Sequence, residues 1–184
     1  TGRGLSFCAT CDAPFFRGLE VCVAGGGDSA AEEALHLAKF ARRVTIIHRR
    51  DRLRAAQSIQ DKVFSEPKIT FLWDSVVQRL DGGDALNKIT VKNVKTGALT
   101  AIEASQADGM LGLFAFIGYL PNSQLFEGML DMENGYIKTD ENMRTNLPGV
   151  YAAGDIRAKN VRQVVTAAAD GAIAAIQASH FLQQ

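Results

Sequence analysis

Two cysteines and a carboxylate near the start of the chain have the types and spacing of a redox centre. Cys8 and Cys11 are separated by two residues, and Asp12 follows the second of them. Two thiols at this spacing can close into a small disulfide ring and open again, which moves two electrons. The neighbouring carboxylate can accept or release the proton that travels with them. We therefore interpret these residues as a thiol–disulfide centre with its own acid/base group.

Two other interpretations of the cysteine pair stay open at this point. The pair could supply half of a tetrahedral zinc site, although such a site needs two further ligands. Cys22 falls in a predicted core strand, and His36, His48 and His180 are scattered along the sequence. The pair could also consist of two buried structural thiols without chemistry. Cys22 itself is predicted to be a core residue.

A glycine-rich turn follows the cysteines, between a predicted strand and a predicted helix. Residues 19–24 form a short apolar run, residues 29–40 have the apolar spacing of a helix, and residues 43–48 are rich in β-branched side chains. Strand, turn, helix and strand in this order predict a βαβ unit. Asp28 or Ser29 is expected to cap the helix.

The turn itself reads G-x-G-x-x-A and consists of Gly25, Gly26, Gly27, Asp28, Ser29 and Ala30. Its first glycine permits a tight turn, its second lets the backbone approach a pyrophosphate, and its small last residue packs the helix against the strand. Inside a βαβ unit, this pattern predicts a dinucleotide site formed by the glycines and the first residues of the helix. A purely structural glycine turn in another α/β fold is the alternative.

Basic side chains at the end of the second strand indicate which dinucleotide binds. His48, Arg49 and Arg50 stand where an NAD-binding domain usually has an acidic residue, and Arg52 and Arg54 follow closely. A guanidinium can hold the 2′-phosphate in bidentate fashion, whereas a carboxylate would repel it. The cluster therefore predicts NADPH as the cofactor. The alternative is a solvated charge cluster at the strand end.

The later sequence changes its period twice. A second helix is expected over residues 53–65 and a third strand over 69–73. A β-meander of three strands follows, over 76–80, 89–94 and 99–104, and then a strand over 110–117. The last third of the chain predicts a hairpin arm over 135–140, a strand over 150–153 and a helix over 162–181. The fold class predicted from this order is α/β, with a Rossmann-like βαβ unit and a β-meander in one domain.

The charge composition limits the classes of partner that the chain is expected to bind. Twenty basic residues balance twenty acidic ones, so no overall field attracts nucleic acid or a membrane surface. No apolar run reaches the roughly 18 residues needed to span a bilayer, and no secretory leader is recognisable. One CxxC pair in such a chain is typical of a reducing compartment, so we expect a cytoplasmic protein that binds neither nucleic acid nor membrane.

A further carrier is expected between the nicotinamide and the disulfide. Nicotinamide gives up a hydride, whereas a disulfide accepts electrons by thiolate chemistry, so direct transfer between them is chemically awkward. A flavin manages both kinds of transfer.

Taken together, these motifs resemble the low-molecular-weight thioredoxin reductases of the bacterial and plant type. The resemblance rests on the residues before and around Cys8 and Cys11, on the glycine turn with its arginines, on Gly118 with Pro121-Asn122, and on Tyr151 to Asp155 with Arg162-Gln163. It spans nearly the whole chain, with the motifs in the family's order.

The resemblance implies a role for each motif. Cys11 would face a flavin, Cys8 would attack the disulfide of thioredoxin or a thioredoxin-like protein, and Asp12 would be the general acid/base. NADPH would be bound by Gly25, Gly27, Asp28, Ser29, Ala30, His48, Arg49, Arg50, Arg54 and Ile117. FAD would be bound by Gly154, Asp155, Arg162, Gln163 and Val164. The intact protein would be a homodimer.

The resemblance also implies a domain division. Residues 1–117 are expected to form the NADPH-binding domain with the CxxC pair, and residues 118–184 the carboxyl-terminal portion of an FAD-binding α/β domain. The family's first flavin-binding segment is not found before Cys8, so the chain is interpreted as a carboxyl-terminal fragment. Open alternatives are a peroxiredoxin-reductase type of flavoprotein, a ferredoxin-fed flavoprotein of this fold, or, for the fragment itself, an NADPH-binding module without turnover.

Overall fold

The computed structural model describes residues 2–183 of the chain. These residues divide into two compact units, the first ending at Gly118 and the second beginning at Tyr119. Each unit is described by itself below. The assignment of NADPH to one domain and FAD to the other remains a prediction.

The first unit contains eight strands and three helices within the described residues. Its strands are β1 (Leu5–Ser6), β2 (Glu20–Gly25), β3 (Arg43–Ile47), β4 (Ile69–Leu72), β5 (Ser75–Gly82), β6 (Leu86–Asn93), β7 (Leu99–Glu103) and β8 (Gly112–Phe116). Its helices are α1 (Ala9–Asp12), α2 (Asp28–Ala38) and α3 (Gln57–Ser65), and α1 continues into a 3-10 turn over Ala13–Phe16.

Five parallel strands form the central sheet in the order β1-β8-β2-β3-β4. From β2 the chain moves outward through β3 and β4, and after the meander it returns to the other side of β2 as β8. The strand order therefore reverses between β2 and β8. In open parallel sheets, ligands bind outside the carboxyl ends of the strands at such a reversal.

Burial explains why β2 and α2 form where the sequence predicts them. Val21, Cys22 and Val23 are at most 1% exposed, as expected for a central parallel strand covered on both faces. Ala30, Ala34 and other apolar positions of α2 form a buried stripe at helical spacing against this sheet. The predicted βαβ unit is confirmed, and so is the core position of Cys22.

The three-stranded antiparallel sheet β5-β6-β7 confirms the predicted meander. Ile89 and Val91 of β6 are buried in a second apolar cluster together with Leu111 and Leu113. The meander thereby packs on β8 and on the residue that precedes it.

Three local predictions in this unit are wrong. Neither Asp28 nor Ser29 caps α2: the helix begins at Asp28 with Gly27 at the cap position, and the Asp28 carboxylate accepts a hydrogen bond from Ala56 N–H at 2.7 Å instead. The helix predicted from residue 53 begins at Gln57, because residues 53–56 form a loop tied to the glycine turn. The strand β1 was not expected, since two residues carry no periodic signal.

The second unit contains the hairpin β9 (Met132–Glu133) and β10 (Tyr136–Ile137), two 3-10 turns over Gln124–Phe126 and Gly154–Ile156, and the helix α4 (Val164–Leu182). Its small apolar core includes Leu130, Ile137 and Ala152. The strand predicted over residues 150–153 is wrong: apart from a single bridge between Arg144 and Tyr151, this segment pairs with no strand among the described residues. Across residues 2–183, no helix combines the length and apolar character needed to cross a bilayer.

Candidate functional site

Cys8 and Cys11 form a disulfide at the start of α1. Cys8 is the cap residue of this helix, and its Sγ accepts the backbone N–H of Cys11 at 3.2 Å. Cys11 lies exposed, whereas Cys8 is partly buried. Within the described part of the chain, no group of three or more potential ligand residues is placed to hold a metal ion. The pair is therefore present as a closed redox ring with one accessible side.

A buried hydroxyl holds the carboxylate beside this disulfide. Ser6 Oγ donates a hydrogen bond to Asp12 Oδ2 at 2.6 Å and accepts the backbone N–H of Cys8 at 3.1 Å. Ser6 is only 2% exposed, so its hydroxyl is fixed by the sheet edge that carries it. One side chain thus connects Asp12 to the backbone of Cys8. Sequence reasoning included Ser6 in the segment before the cysteines but gave it no role of its own.

The backbone of the glycine turn leaves no room for side chains at its first two positions. Gly25 has a φ of +152°, and a Cβ there would lie 2.6 Å from the Phe116 carbonyl oxygen and 2.7 Å from the Ala30 Cβ. A Cβ on Gly26 would overlap the ring of His48, lying 2.6 Å from its Cγ. Gly27 occupies the cap position of α2. The turn therefore presents bare backbone at the carboxyl end of β2.

His48 is a buried base among arginines. It is 5% exposed, and its Nε2 is enclosed without a hydrogen-bond partner among the described residues. Burial lowers the pKa of His48, and the positive charges of Arg54, Arg50 and Arg49 lower it further, against a smaller opposing effect of the Arg52 backbone. The pKa of the ring consequently lies below its ordinary value, and the ring has one buried polar atom without a partner among the described residues.

These features surround one cavity of about 570 Å³ at the strand-order reversal. Five of the predicted NADPH residues line it: Gly25, His48, Arg49, Arg54 and Ile117. Gly26 of the predicted turn lines it as well. The cavity is also lined by residues that sequence reasoning did not select, namely Leu5, Phe7, Ala24, Ile47, Ser75, Val76, Val77, Leu113, Ala115 and Phe116. The volume lies in the range typical of small-molecule sites.

The other predicted NADPH residues lie near this cavity without lining it. Asp28, Ser29 and Ala30 form the first turn of α2, and Arg50 is exposed outside the lining. The loop before α3 is fixed to the glycine turn, because the backbone N–H of Arg54 donates to the Gly26 carbonyl at 2.6 Å. This bond brings the Arg54 side chain to the cavity.

The cavity fits a dinucleotide phosphate. Bare backbone at the helix start suits a pyrophosphate, while the unpartnered Nε2 of His48 and the guanidinium groups of Arg49 and Arg54 suit a further phosphate. No carboxylate is among the lining residues.

The predicted FAD residues occupy one turn and one helix start in the second unit. Arg162 Nε donates to the Asp155 carbonyl at 3.4 Å, and the Arg162 guanidinium lies 4.0 Å from the centre of the Tyr136 ring. Gln163 caps α4 through a reciprocal capping box with Thr166. Val164, the first residue of α4, is 87% exposed, and Asp155 is exposed as well.

A nine-tenths buried ion cluster secures this turn to α4. Asp170 accepts hydrogen bonds from Gly154 N–H at 3.0 Å, from Arg157 Nη1 at 2.9 Å and from Lys159 Nζ at 2.9 Å. Burial acts to raise the pKa of Asp170, but the hydrogen bonds from Lys159, Arg157 and Gly154 outweigh it and lower that pKa. Asp170 is the one acidic residue of the alanine-rich helix α4, a sequence signal that was available and missed.

Known proteins match both the sequence and this architecture. The family model described as pyridine nucleotide-disulphide oxidoreductase matches residues 1–171. A thioredoxin reductase of Peptoclostridium acidaminophilum is 55% identical over 184 residues, which are 100% of this chain and 58% of that protein. The chain thus spans little more than half the length of this relative.

Solved structures match the fold of this chain as well. The thioredoxin reductase of Streptococcus pyogenes matches with a TM-score of 0.87 and 44% identity, over 98% of this chain and 58% of that one. The thioredoxin reductase of Giardia duodenalis matches with a TM-score of 0.82 and 36% identity, over 99% and 59%. The predicted resemblance and fold class are thereby confirmed. With its disulfide, its glycine turn and its α/β architecture, this chain belongs to the pyridine nucleotide-disulphide oxidoreductase family.

Proposed function

We propose that this chain is the redox-disulfide and nucleotide-binding portion of an NADPH-dependent flavoprotein that reduces thioredoxin. The observation that carries the proposal is the Cys8–Cys11 disulfide, with Asp12 held beside it, in the same unit as the arginine-lined cavity. The relatives named as thioredoxin reductases support the substrate class.

NADPH binding is assigned to the cavity at the end of β2. The glycine turn and the start of α2 would hold the pyrophosphate through backbone N–H groups. Arg49 and Arg54 line the cavity and would hold the 2′-phosphate, with the unpartnered His48 Nε2 beside them. Arg50 is exposed outside the cavity lining, so its contribution would be the smaller one.

FAD binding is assigned to the turn and helix start of the second unit. The exposed Asp155 and the amino end of α4 would provide a carboxylate and the partial positive charge of a helix start, which suit a ribityl chain and a flavin ring. Gly154, Arg162, Gln163 and Val164 complete the set. Nicotinamide and flavin together would supply hydride transfer, which protein side chains lack.

The disulfide carries out the final exchange. Its reduction breaks the bond between Cys8 and Cys11 and adds two electrons and two protons, one of them by way of Asp12. Asp12 then takes the proton of Cys8, and the Cys8 thiolate attacks a disulfide sulfur of thioredoxin. This forms a mixed disulfide and displaces the other thioredoxin sulfur as a thiolate, which takes up a proton. Cys11 attacks Cys8 in turn, which releases reduced thioredoxin and closes the ring again. Homodimer formation and a cytoplasmic location of the intact protein belong to the same proposal.

The exchange step can be tested without flavin or nucleotide. The Cys11→Ser variant keeps the attacking thiol but cannot release the partner, so mixing it with oxidised thioredoxin should give a disulfide-linked complex on a non-reducing gel. The matched Cys8→Ser variant should give much less. Equal trapping by both variants, or trapping by neither, would contradict the assigned roles.

Nucleotide binding can be measured separately from the thiol exchange. We expect the chain to bind NADPH more tightly than NADH. Binding can be followed through the fluorescence of Trp73, the single tryptophan, because its ring lies 6.4 Å from that of His48. A chain that binds NADPH but traps no thioredoxin would be a nucleotide-binding module. Addition of FAD and the appearance of a yellow complex would then report on the second unit.

A further inference from the structure

The loop between β3 and α3 carries Arg54 to the nucleotide cavity. Leu53 and Ala55 are each 5% exposed and belong to the main apolar cluster, whereas Arg54 between them is exposed and lines the cavity. A Cβ built on Gly27 would lie 3.8 Å from Arg54 Nη2, so the guanidinium lies close to the glycine turn. The position of this guanidinium therefore depends on how the loop is held.

Two hydrogen bonds hold the loop to the glycine turn and to α2. Arg54 N–H donates to the Gly26 carbonyl at 2.6 Å, and two residues later Ala56 N–H donates to Asp28 Oδ1 at 2.7 Å. The first bond joins backbone to backbone and depends on no side chain. The second needs the Asp28 carboxylate, so a change of this one residue would release the end of the loop.

Asp28 is placed to act on the loop rather than on a nucleotide. The described residues that line the cavity do not include it, and Gly27 takes the cap position of α2. A carboxylate in direct contact with phosphate groups would repel them. Ala56, in contrast, stands directly before α3 and has no polar side chain with which to cap that helix. Asp28 thus supplies an acceptor at the point where the loop passes into α3.

We propose that Asp28 is a positioning residue for nucleotide selection, which holds the loop over residues 53–56 so that Arg54 reaches the 2′-phosphate of NADPH. The inference rests on the proposed nucleotide site and deepens it, because it names the group that orients one of the two guanidinium groups. NADH has no 2′-phosphate, so the loop contact should matter for NADPH and far less for NADH.

The test compares variants by equilibrium titration with NADPH and with NADH, followed through the fluorescence of Trp73. Asp28→Ala removes the acceptor and should lower the preference for NADPH by about threefold to tenfold, the order of effect expected for one hydrogen bond. Asp28→Asn keeps a side-chain oxygen and should retain most of the preference. The matched control is Glu32→Ala, which removes an exposed acid one turn further along α2 and should leave the preference within about a factor of two.

Two results of this comparison would overturn the proposal. Equal weakening of NADPH and NADH binding by Asp28→Ala would mean that Asp28 acts on the part that both nucleotides share. Equal losses of preference in Asp28→Asn and Asp28→Ala would mean that the charge matters and the acceptor does not.

A double-mutant cycle tests whether Asp28 acts through Arg54. Once Arg54→Ala has removed the guanidinium, Asp28→Ala should change the preference further by less than about twofold, because the two residues contribute as one unit. Additive effects of the two changes would show that Asp28 acts independently of Arg54 and would overturn the proposal.

The loop contact can be measured without nucleotide. Hydrogen exchange of the Ala56 amide should be at least about tenfold faster in Asp28→Ala than in the unaltered chain, and unchanged in Glu32→Ala. Equal exchange rates in the unaltered chain and in Asp28→Ala would overturn the proposal. If Asp28→Ala fails to fold, the amide resonance of Ala56 in the unaltered chain should shift as the Asp28 carboxyl group titrates. An amide that does not follow this carboxyl group would likewise overturn the proposal.

The two proposals fail in different ways. An unaltered chain with a protected Ala56 amide but no preference for NADPH would contradict the proposed nucleotide assignment, and the selection by Asp28 with it. A preference for NADPH that Asp28→Ala leaves unchanged would overturn only the role of Asp28.

Discussion

The imidazole of His48 fills the space that a side chain on Gly26 would need. A Cβ on Gly26 would lie 2.6 Å from the Cγ of that ring, so backbone and ring are in direct contact at the end of β2. His48 is also buried against Trp73, at 6.4 Å between ring centres. The glycine at the middle of the turn and the histidine at the end of β3 are therefore parts of one packing arrangement.

We predict that Gly26→Ala destabilises the first unit by about 1–3 kcal/mol, because the added methyl group displaces a packed ring. The second change His48→Ala should recover much of this loss, since it removes the group that the methyl strikes. The measurement is urea unfolding followed by circular dichroism. Gly83→Ala is the control, because a Cβ there meets nothing within 4 Å. Additive effects of the two changes would argue against the contact.

Removal of Arg49 and Arg54 together should lower the preference for NADPH over NADH by at least about tenfold, because each charge-assisted hydrogen bond contributes about 1.5–3 kcal/mol. Both residues line the cavity. Equilibrium titration with each nucleotide measures the ratio. Arg52→Ala is the matched control from the same cluster, since Arg52 is exposed and does not line the cavity. A preference that survives the double change would place the 2′-phosphate elsewhere.

Ser6→Ala should slow the reduction of the disulfide by dithiothreitol several-fold and alter its pH profile. The change removes the hydroxyl that donates to Asp12 and accepts from Cys8 N–H, so the acid loses its orientation towards the sulfur atoms. Stopped-flow or gel-based thiol trapping measures the rate. The exposed Ser58 on α3 supplies the control Ser58→Ala. Identical profiles for both variants would show that Asp12 needs no such support.

Asp170→Asn should destabilise the second unit at pH 7 by on the order of 3 kcal/mol, because two buried cations lose their counter-ion. The folded-state pKa of Asp170 is lowered from its ordinary 3.8, so its contribution is present above pH 3.8 and is lost as the pH falls through the folded value. The difference between variant and wild type should therefore shrink in acid.

Hydrogen exchange of the α4 amides measures this stability, since the single tryptophan lies in the first unit. Asp131→Asn, an exposed acid in the second unit, is the matched control. A difference that stays constant from pH 7 to pH 3 would mean that Asp170 acts through packing alone.

The predictable parts of the fold are those whose signals are local in sequence. The apolar run of β2, the glycines and the periodic α2 lie within about twenty residues, and each supports the others. The cap of α2 was wrong because Asp28 finds a better donor in Ala56, which is 28 positions away. No propensity of a single residue reveals that competition.

The missed parts of the site depend on distant residues that meet in space. His48 was predicted as a binding residue, but its contact with Gly26 spans 22 positions and nothing in either segment reveals it. Asp170 differs, because a lone acidic residue in an alanine-rich helix already indicates a charged partner.

The hydrogen bonds of Ser6 make the redox signature longer than its two cysteines. Because one hydroxyl joins Asp12 to the backbone of Cys8, the pattern that specifies this centre is S-x-C-x-x-C-D. A chain with both cysteines and the acid, but with an apolar residue in place of the serine, would keep the ring and lose the orientation of its acid. Such a sequence would have the same cysteine spacing, but proton transfer between its carboxylate and the sulfur atoms would differ.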